Sequence, residues 1–215
     1  MKQHPNDWLL PEFPRIPHLI QPPNMVNGEL VAHAKLVDYV LSSELIVEEK
    51  LDGANCGMAF DEKGVNLIRN RKHILSKNYS QEHRTPAKEQ FFPFWGWLME
   101  NKSKFQLINK IKGDLLSVYG EWVLAIHGVR YDKLPSRFIP YAIYSSNKRV
   151  FLPVEETRGL LETAGFQLAY KVYEGKSTLE DLENMANATS VYSTTENREG
   201  IVIKIKGSSE QYKLI

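Results

Sequence analysis

The sequence predicts an α+β fold, and two observations carry that expectation. Short apolar runs rich in β-branched residues recur along the chain, joined by polar turns of the kind that link antiparallel strands. Between them lie stretches with helical apolar spacing and recognisable end signals. The 215 residues show no internal repeat and no linker, and that length supports one sizeable core or at most two small domains.

Residues 1–24 carry Pro5, Pro11, Pro14, Pro17, Pro22 and Pro23. Proline fixes φ and removes a backbone donor, so an extended arm is expected, lying on a domain that spans 25–215. The spacing of Leu30, Val31, Ala34, Val37 and Val40 predicts a first helix. Leu45, Ile46 and Val47 then predict a strand running into Lys50. Residues 56–60 and 65–69 read as two strands joined by the turn Asp61-Glu62-Lys63-Gly64. The aromatic block Phe91-Phe92-Pro93-Phe94-Trp95-Gly96-Trp97 reads as core or lid packing, with a base-stacking platform as the alternative. Phe105, Ile108 and Ile111 predict a second helix stopped by Gly113. Residues 117–124 and 138–144 read as strands. Pro153 and Gly165 bracket a third helix. Ser177-Thr178-Leu179-Glu180 fits a capping box for a fourth, with Leu179, Leu182 and Met185 as its buried stripe. Two further strands, 201–206 and 212–215, complete the pattern.

Charge restricts the functional classes. Lys plus Arg is 27 against 26 for Asp plus Glu, so any nucleic-acid contact must come from a local basic face. The one cysteine, Cys56, excludes an internal disulfide and every multi-cysteine zinc pattern, and fits a reducing, cytoplasmic compartment. No apolar run is long enough to span a bilayer, so no membrane partner is expected.

The stretch 48–56, Glu-Glu-Lys-Leu-Asp-Gly-Ala-Asn-Cys, leaves the first strand with three charges. Taken alone it is a surface β-turn, since Asp-Gly is a favoured turn pair. Its functional reading is a nucleophilic lysine at a strand end, with Gly53 letting backbone approach a phosphate. Glu121 lies within an apolar strand, Glu199 at the mouth of another, and Lys204 and Lys213 inside two more. Each alone fits a strand-end carboxylate or a snorkelling lysine. Together they make a recurring type of site: one lysine to attack, two to neutralise phosphate, and carboxylates for ribose and metal. Attack requires the neutral amine, which neighbouring cations would favour.

The segments EEKLDGAN, YGEW, PYAIY, EGIVIK and YKLI, in this order, resemble the motifs of the covalent nucleotidyltransferases, the ATP-dependent ligases and mRNA capping enzymes. Asn55 after the lysine motif, the run from Gly120 to Pro135, and the N-terminal FPRIPHL fit the RNA ligase branch best. The resemblance implies a nucleotidyltransferase fold of antiparallel sheets with flanking helices and a nucleotide cleft. It implies ATP as substrate with Mg2+ or Mn2+, and RNA carrying 5′-phosphate and 3′-hydroxyl ends. Lys50 would form a covalent lysyl-AMP. Glu49 and adjacent backbone would contact adenine, and Tyr141 would stack on the base. Asn55 and Arg71 would lie along ribose and phosphate, with Arg69 as a rival to Arg71. Glu121 would bind the ribose hydroxyls. Glu199 would serve both metal and nucleotide, and Lys204 and Lys213 would hold the α-phosphate. The chain departs from its relatives at Ala142 and Ser145, where they commonly carry acids.

A minimal DNA ligase, a GTP-using capping enzyme, and a nucleic-acid-end-binding protein without turnover remain open at this point. No appended domain is expected after the last lysine motif. The expectation is therefore robust self-adenylylation with a weak duplex grip, or a partner protein that supplies it. Arg69, Arg71, Lys72 and Lys77 beside the cleft, with Lys102, Lys104, Lys110 and Lys112 on the second helix, are the basic candidates for that grip.

Overall fold

The computed structural model describes residues 8–25, 27–61, 64–71, 73–75, 91, 93–124 and 128–215. Among these residues ten strands run in chain order: β1 Leu45–Glu49, β2 Ala54–Asp61, β3 Gly64–Asn70, β4 Ile74–Leu75, β5 Leu116–Trp122, β6 Phe138–Ser145, β7 Val150–Phe151, β8 Lys171–Gly175, β9 Ile201–Ile205 and β10 Gln211–Leu214. The helices among the described residues are α1 Ala34–Ser42, α2 Phe94–Lys112, α3 Val154–Thr163 and α4 Leu179–Ala186. One sheet has the order β10-β9-β1-β8 and the other β4-β3-β2-β5-β6-β7. All the strand pairs are antiparallel. The α+β expectation holds.

Strand parity decides what faces what. On the four-stranded sheet Leu45, Val47, Ile201, Ile203, Ile205, Tyr212 and Leu214 are buried in one cluster with Val40 of α1 and Leu182 of α4. Side chains alternate along a strand, so Glu48 and Lys50, Val202 and Lys204, and Gln211 and Lys213 project from the opposite face. On the six-stranded sheet Cys56, Met58, Phe60, Val118 and Trp122 pack under α2 and α3. That parity sends Asn55, Gly57 and Ala59, with Tyr119 and Glu121, the other way.

Helix boundaries depart from the sequence reading in instructive ways. Leu30 and Val31 stay outside α1 and are exposed, because the chain is extended until His33. The aromatic block is not a separate platform. It supplies the first turn of α2, where buried Phe94 and Trp97 meet Trp122, Phe138 and Phe105 edge-on or tilted. Gly113 ends that helix in the left-handed conformation, φ 60°. The cap of α4 sits one residue later than the box suggests: the Thr178 hydroxyl accepts from the Asp181 N–H at 3.2 Å. The expected turn at Glu62 and Lys63 lies outside the described residues, as do Phe92, Lys72 and Lys77.

Leu10, Phe13 and Leu19 of the N-terminal segment are buried. With few N–H groups of its own, this segment is held through its carbonyls, which must still find donors. Arg69 Nη1 donates to Leu10 O at 2.6 Å, Ser117 Oγ to Leu9 O at 2.6 Å and Tyr119 Oη to Pro11 O at 2.7 Å. Further on, Lys213 N donates to Pro17 O at 2.9 Å and Leu19 N to Lys213 O at 2.8 Å. This pairing covers the otherwise open edge of β10.

Candidate active site

A cleft of about 590 Å3 is lined by residues from both of these sheet faces. Lys50, Asn55, Arg71, Glu121, Tyr141, Lys204 and Lys213 all line it.

Lys50 is placed from two sides. Its N–H donates to Gly200 O at 3.0 Å, which brings the end of β1 against the start of β9. Only glycine fits at 200, since a Cβ there would stand 2.2 Å from Leu214 O. The adjacent Glu199 then accepts a hydrogen bond from Lys50 Nζ through Oε2, joining residues 149 positions apart. Behind Lys50, Asp52 is pinned to the loop that precedes β6. Its N–H donates to Tyr131 Oη at 2.7 Å, and its carboxylate accepts from Gly128 N and Val129 N. Gly53 lines the cleft and also has a packing role. A Cβ at 53 would lie 2.6 Å from Trp122 O and 3.1 Å from Glu121 Cγ. The glycine lets the Lys50 turn close onto β5.

Glu121 faces Asn55 across the β2–β5 ladder. Burial pushes its carboxyl up to about 8; the Lys50 ammonium pulls it back, Glu199 adds to the rise, and a hydrogen bond from the Gly53 N–H lowers it. Asn55 Nδ2 donates to Tyr141 Oη. Asn55 Oδ1 is buried without a hydrogen-bond partner among the described residues. Tyr141 stands edge-on to Phe13, with ring centroids 5.2 Å apart.

The remaining positions divide. Glu49 contributes backbone to the cleft, while its fully buried carboxylate turns to the loop before β9, accepting from Ser190 Oγ and, at 3.1 Å, from Val191 N. Arg71 lines the cleft, whereas Arg69 is buried and reaches Leu10 O. Lys204 Nζ lies 2.6 Å from Glu48 Oε2 and donates to Tyr141 O at 3.2 Å. Lys213 Nζ lies 3.0 Å from Glu29 Oε1, itself 3.2 Å from His18 Nε2. The two lysines expected to meet phosphate therefore each hold a carboxylate in this structure. Among the basic residues of α2, Lys112 pairs with Glu156 and Lys104 lies 5.3 Å over the Phe166 ring. Ser145 donates to Asp114 at the far end of β6, remote from Lys50 in the β5–β6 register.

Sequence reasoning missed Tyr131, Glu48 and Arg158. Glu48 had one signal available, its parity with Lys50; the other two are brought in by long-range packing that no local pattern records.

Compared with known families, residues 43–215 match the RNA ligase family. This chain belongs to the RNA ligase family. An apo mutant of Naegleria gruberi RNA ligase superposes with a TM-score of 0.62 at 19% identity, covering 84% of this chain and 51% of its own. A mutant of the same ligase with ATP and Mn gives 0.62 at 19%, covering 84% and 52%. That ligase with pyrophosphate gives 0.61 at 21%, covering 91% and 57%. At such identity the likeness shows the fold, and this family member spans about half the length of those chains. No curated protein matches the RNA ligase family chain by sequence.

Among the described residues no three acidic, histidine or cysteine side chains form a ready-made metal group. The donor set fits a hard divalent ion all the same. Mg2+ is commonly held by one or two carboxylates completed by substrate phosphates, and Glu199 is a partly exposed carboxylate beside Lys50.

Proposed function

We propose that the chain is an RNA ligase-type adenylyltransferase: it takes AMP from ATP onto Lys50 and passes it to a 5′-phosphate RNA end for joining to a 3′-hydroxyl. One observation carries this reading: the Lys50 ammonium stands in a cleft with Lys204 and Lys213 on the same sheet face and a carboxylate hydrogen-bonded to Nζ. Nζ attacks the α-phosphorus; the bond from nitrogen to phosphorus forms as the bond to the bridging oxygen breaks, and pyrophosphate leaves. Phosphoryl transfer of this kind depends on positioning and charge neutralisation. Lys50 must also shed a proton, and Glu199 Oε2 is its hydrogen-bond acceptor. ATP phosphates would meet the Lys204 donor that Glu48 and the Tyr141 carbonyl leave free, and would draw Lys213 away from part of its contact with Glu29. The unpartnered Asn55 Oδ1 suits a ribose hydroxyl donor, and Arg71 suits phosphate. Glu199 would hold Mg2+ or Mn2+, which supplies further charge neutralisation when bound. The Naegleria gruberi ligase solved with ATP and Mn, and with pyrophosphate, supports the same substrate and leaving group here.

The test is a panel of nicked duplexes with RNA, DNA or mixed strands, each incubated with the chain, Mg2+ and either ATP or GTP. Joining of RNA 3′-hydroxyl nicks with ATP is expected. Joining confined to DNA strands would favour a minimal DNA ligase, covalent label from GTP alone a capping enzyme, and binding of ends without any covalent label a protein that has lost turnover.

A further inference from the structure

We propose that Glu48 and Arg158 are a positioning pair that fixes the Lys204 ammonium in the nucleotide cleft, an inference that rests on the adenylylation reading above. Glu48 is 3% exposed, yet it occupies the cleft face of β1 between Ile46 and Lys50. The register pairs Ile46 with Lys204 and Glu48 with Val202, so Glu48 and Lys204 are diagonal neighbours on one face. Glu48 Oε2 lies 2.6 Å from Lys204 Nζ, and Oε1 accepts from Arg158 Nη1. Arg158 comes from α3, which is docked on the β9–β10 turn: Val154 N donates to Ser208 O at 2.9 Å, and Gly207 N donates to the Glu155 carboxylate at 2.9 and 3.0 Å. The helix that carries Arg158 is thus tied to the hairpin that carries Lys204.

Glu48 is the buried carboxylate between two cations, and Arg158 has a second, exposed partner in Glu162 at 3.3 Å, so Glu48 is shared between Arg158 and Lys204. Burying it costs desolvation, and an apolar side chain at 48, like that at 46, would avoid the cost. The charge makes sense if its product is a fixed ammonium. Lysine has three donors on a flexible stem. Glu48 and the Tyr141 carbonyl engage two of them, leaving one for phosphate from a lysine already held in place. Ordering before binding removes that cost from the binding step.

The measurement combines the single-turnover rate of lysyl-AMP formation with ATP affinity in a Lys50→Ala background, and a thermal melt for each variant. Glu48→Gln is expected to slow labelling and weaken ATP binding by roughly 10- to 100-fold, the range of one lost charge-assisted contact. Arg158→Ala should lose part of this, and Arg158→Lys should recover some of it. If the single variant does not fold, Glu48→Gln with Arg158→Gln removes the pair without leaving the arginine charge unpaired and should show the same loss. In a Lys204→Ala background Glu48→Gln should change neither reading, because Glu48 acts through Lys204. Unchanged or tighter ATP binding in Glu48→Gln, or an undiminished effect in the Lys204→Ala background, would overturn the proposal. A wild-type chain that binds ATP but takes no label contradicts the adenylylation reading instead, and the affinity comparison still decides the role of Glu48.

Discussion

Glu121 shows how the cleft sets the chemistry of one residue. Its carboxyl sits at about 8 against an ordinary 4.5, chiefly because it is buried. The sign follows from linkage. Between those two values the folded chain keeps a proton that the unfolded chain has lost, so the stability this group contributes is full below 4.5 and is lost as pH climbs through about 8. The melting temperature of the ligand-free protein should therefore fall between pH 5 and 8. Glu121→Gln, neutral and of the same shape, should flatten that slope and stabilise the protein at pH 8, by at most a few kcal/mol. Melts of both proteins across this range check it; parallel slopes would mean Glu121 is ionised throughout. A neutral Glu121 also brings a donor to the cleft, which the sequence alone did not suggest.

Elements place these residues, and here the close approach of the Lys50 turn to β5 is decisive. Gly53→Ala would set a Cβ against Trp122 O, a backbone atom that cannot swing aside. It should cost roughly 1–3 kcal/mol by overpacking and slow labelling by displacing Glu121. Chemical denaturation with single-turnover labelling measures both; a variant with wild-type stability and rate would show that the turn has slack. The same elements show what the sequence could reveal. The strands carrying Glu121, Tyr141, Lys204 and Lys213, and the one that leads into Lys50, were legible because each contains a run of β-branched, aliphatic or aromatic residues. The start of α2 was not, since an aromatic block with a proline carries no helical period. Nor were the contacts of Glu49, Glu48 and Arg69, because a carboxylate or guanidinium next to a site is turned toward or away from it by partners from distant segments. Ser190, Arg158 and Leu10 are those partners.

Across the whole molecule, charge near zero separates the two halves of the proposed reaction. The proposed nucleotide site draws on buried and half-buried side chains such as Glu121, Lys204 and Lys50, which salt screens less than exposed ones. A nucleic-acid grip depends on exposed Lys and Arg contacts and falls steeply with salt. Of the α2 lysines, Lys112 is already paired with Glu156. Joining of a pre-adenylylated RNA nick should thus decline sharply across a salt series while enzyme-AMP formation stays nearly level; equal decline of both would contradict this division. That Lys50 is the nucleophile is tested most directly by intact mass and peptide mapping after incubation with ATP and Mg2+. One AMP should be added, at Lys50, acid-labile and alkali-stable as a phosphoramide is, and both Lys50→Ala and Lys50→Arg should take none, since a guanidinium stays protonated. Label on another residue, or normal labelling of Lys50→Ala, would contradict the assignment.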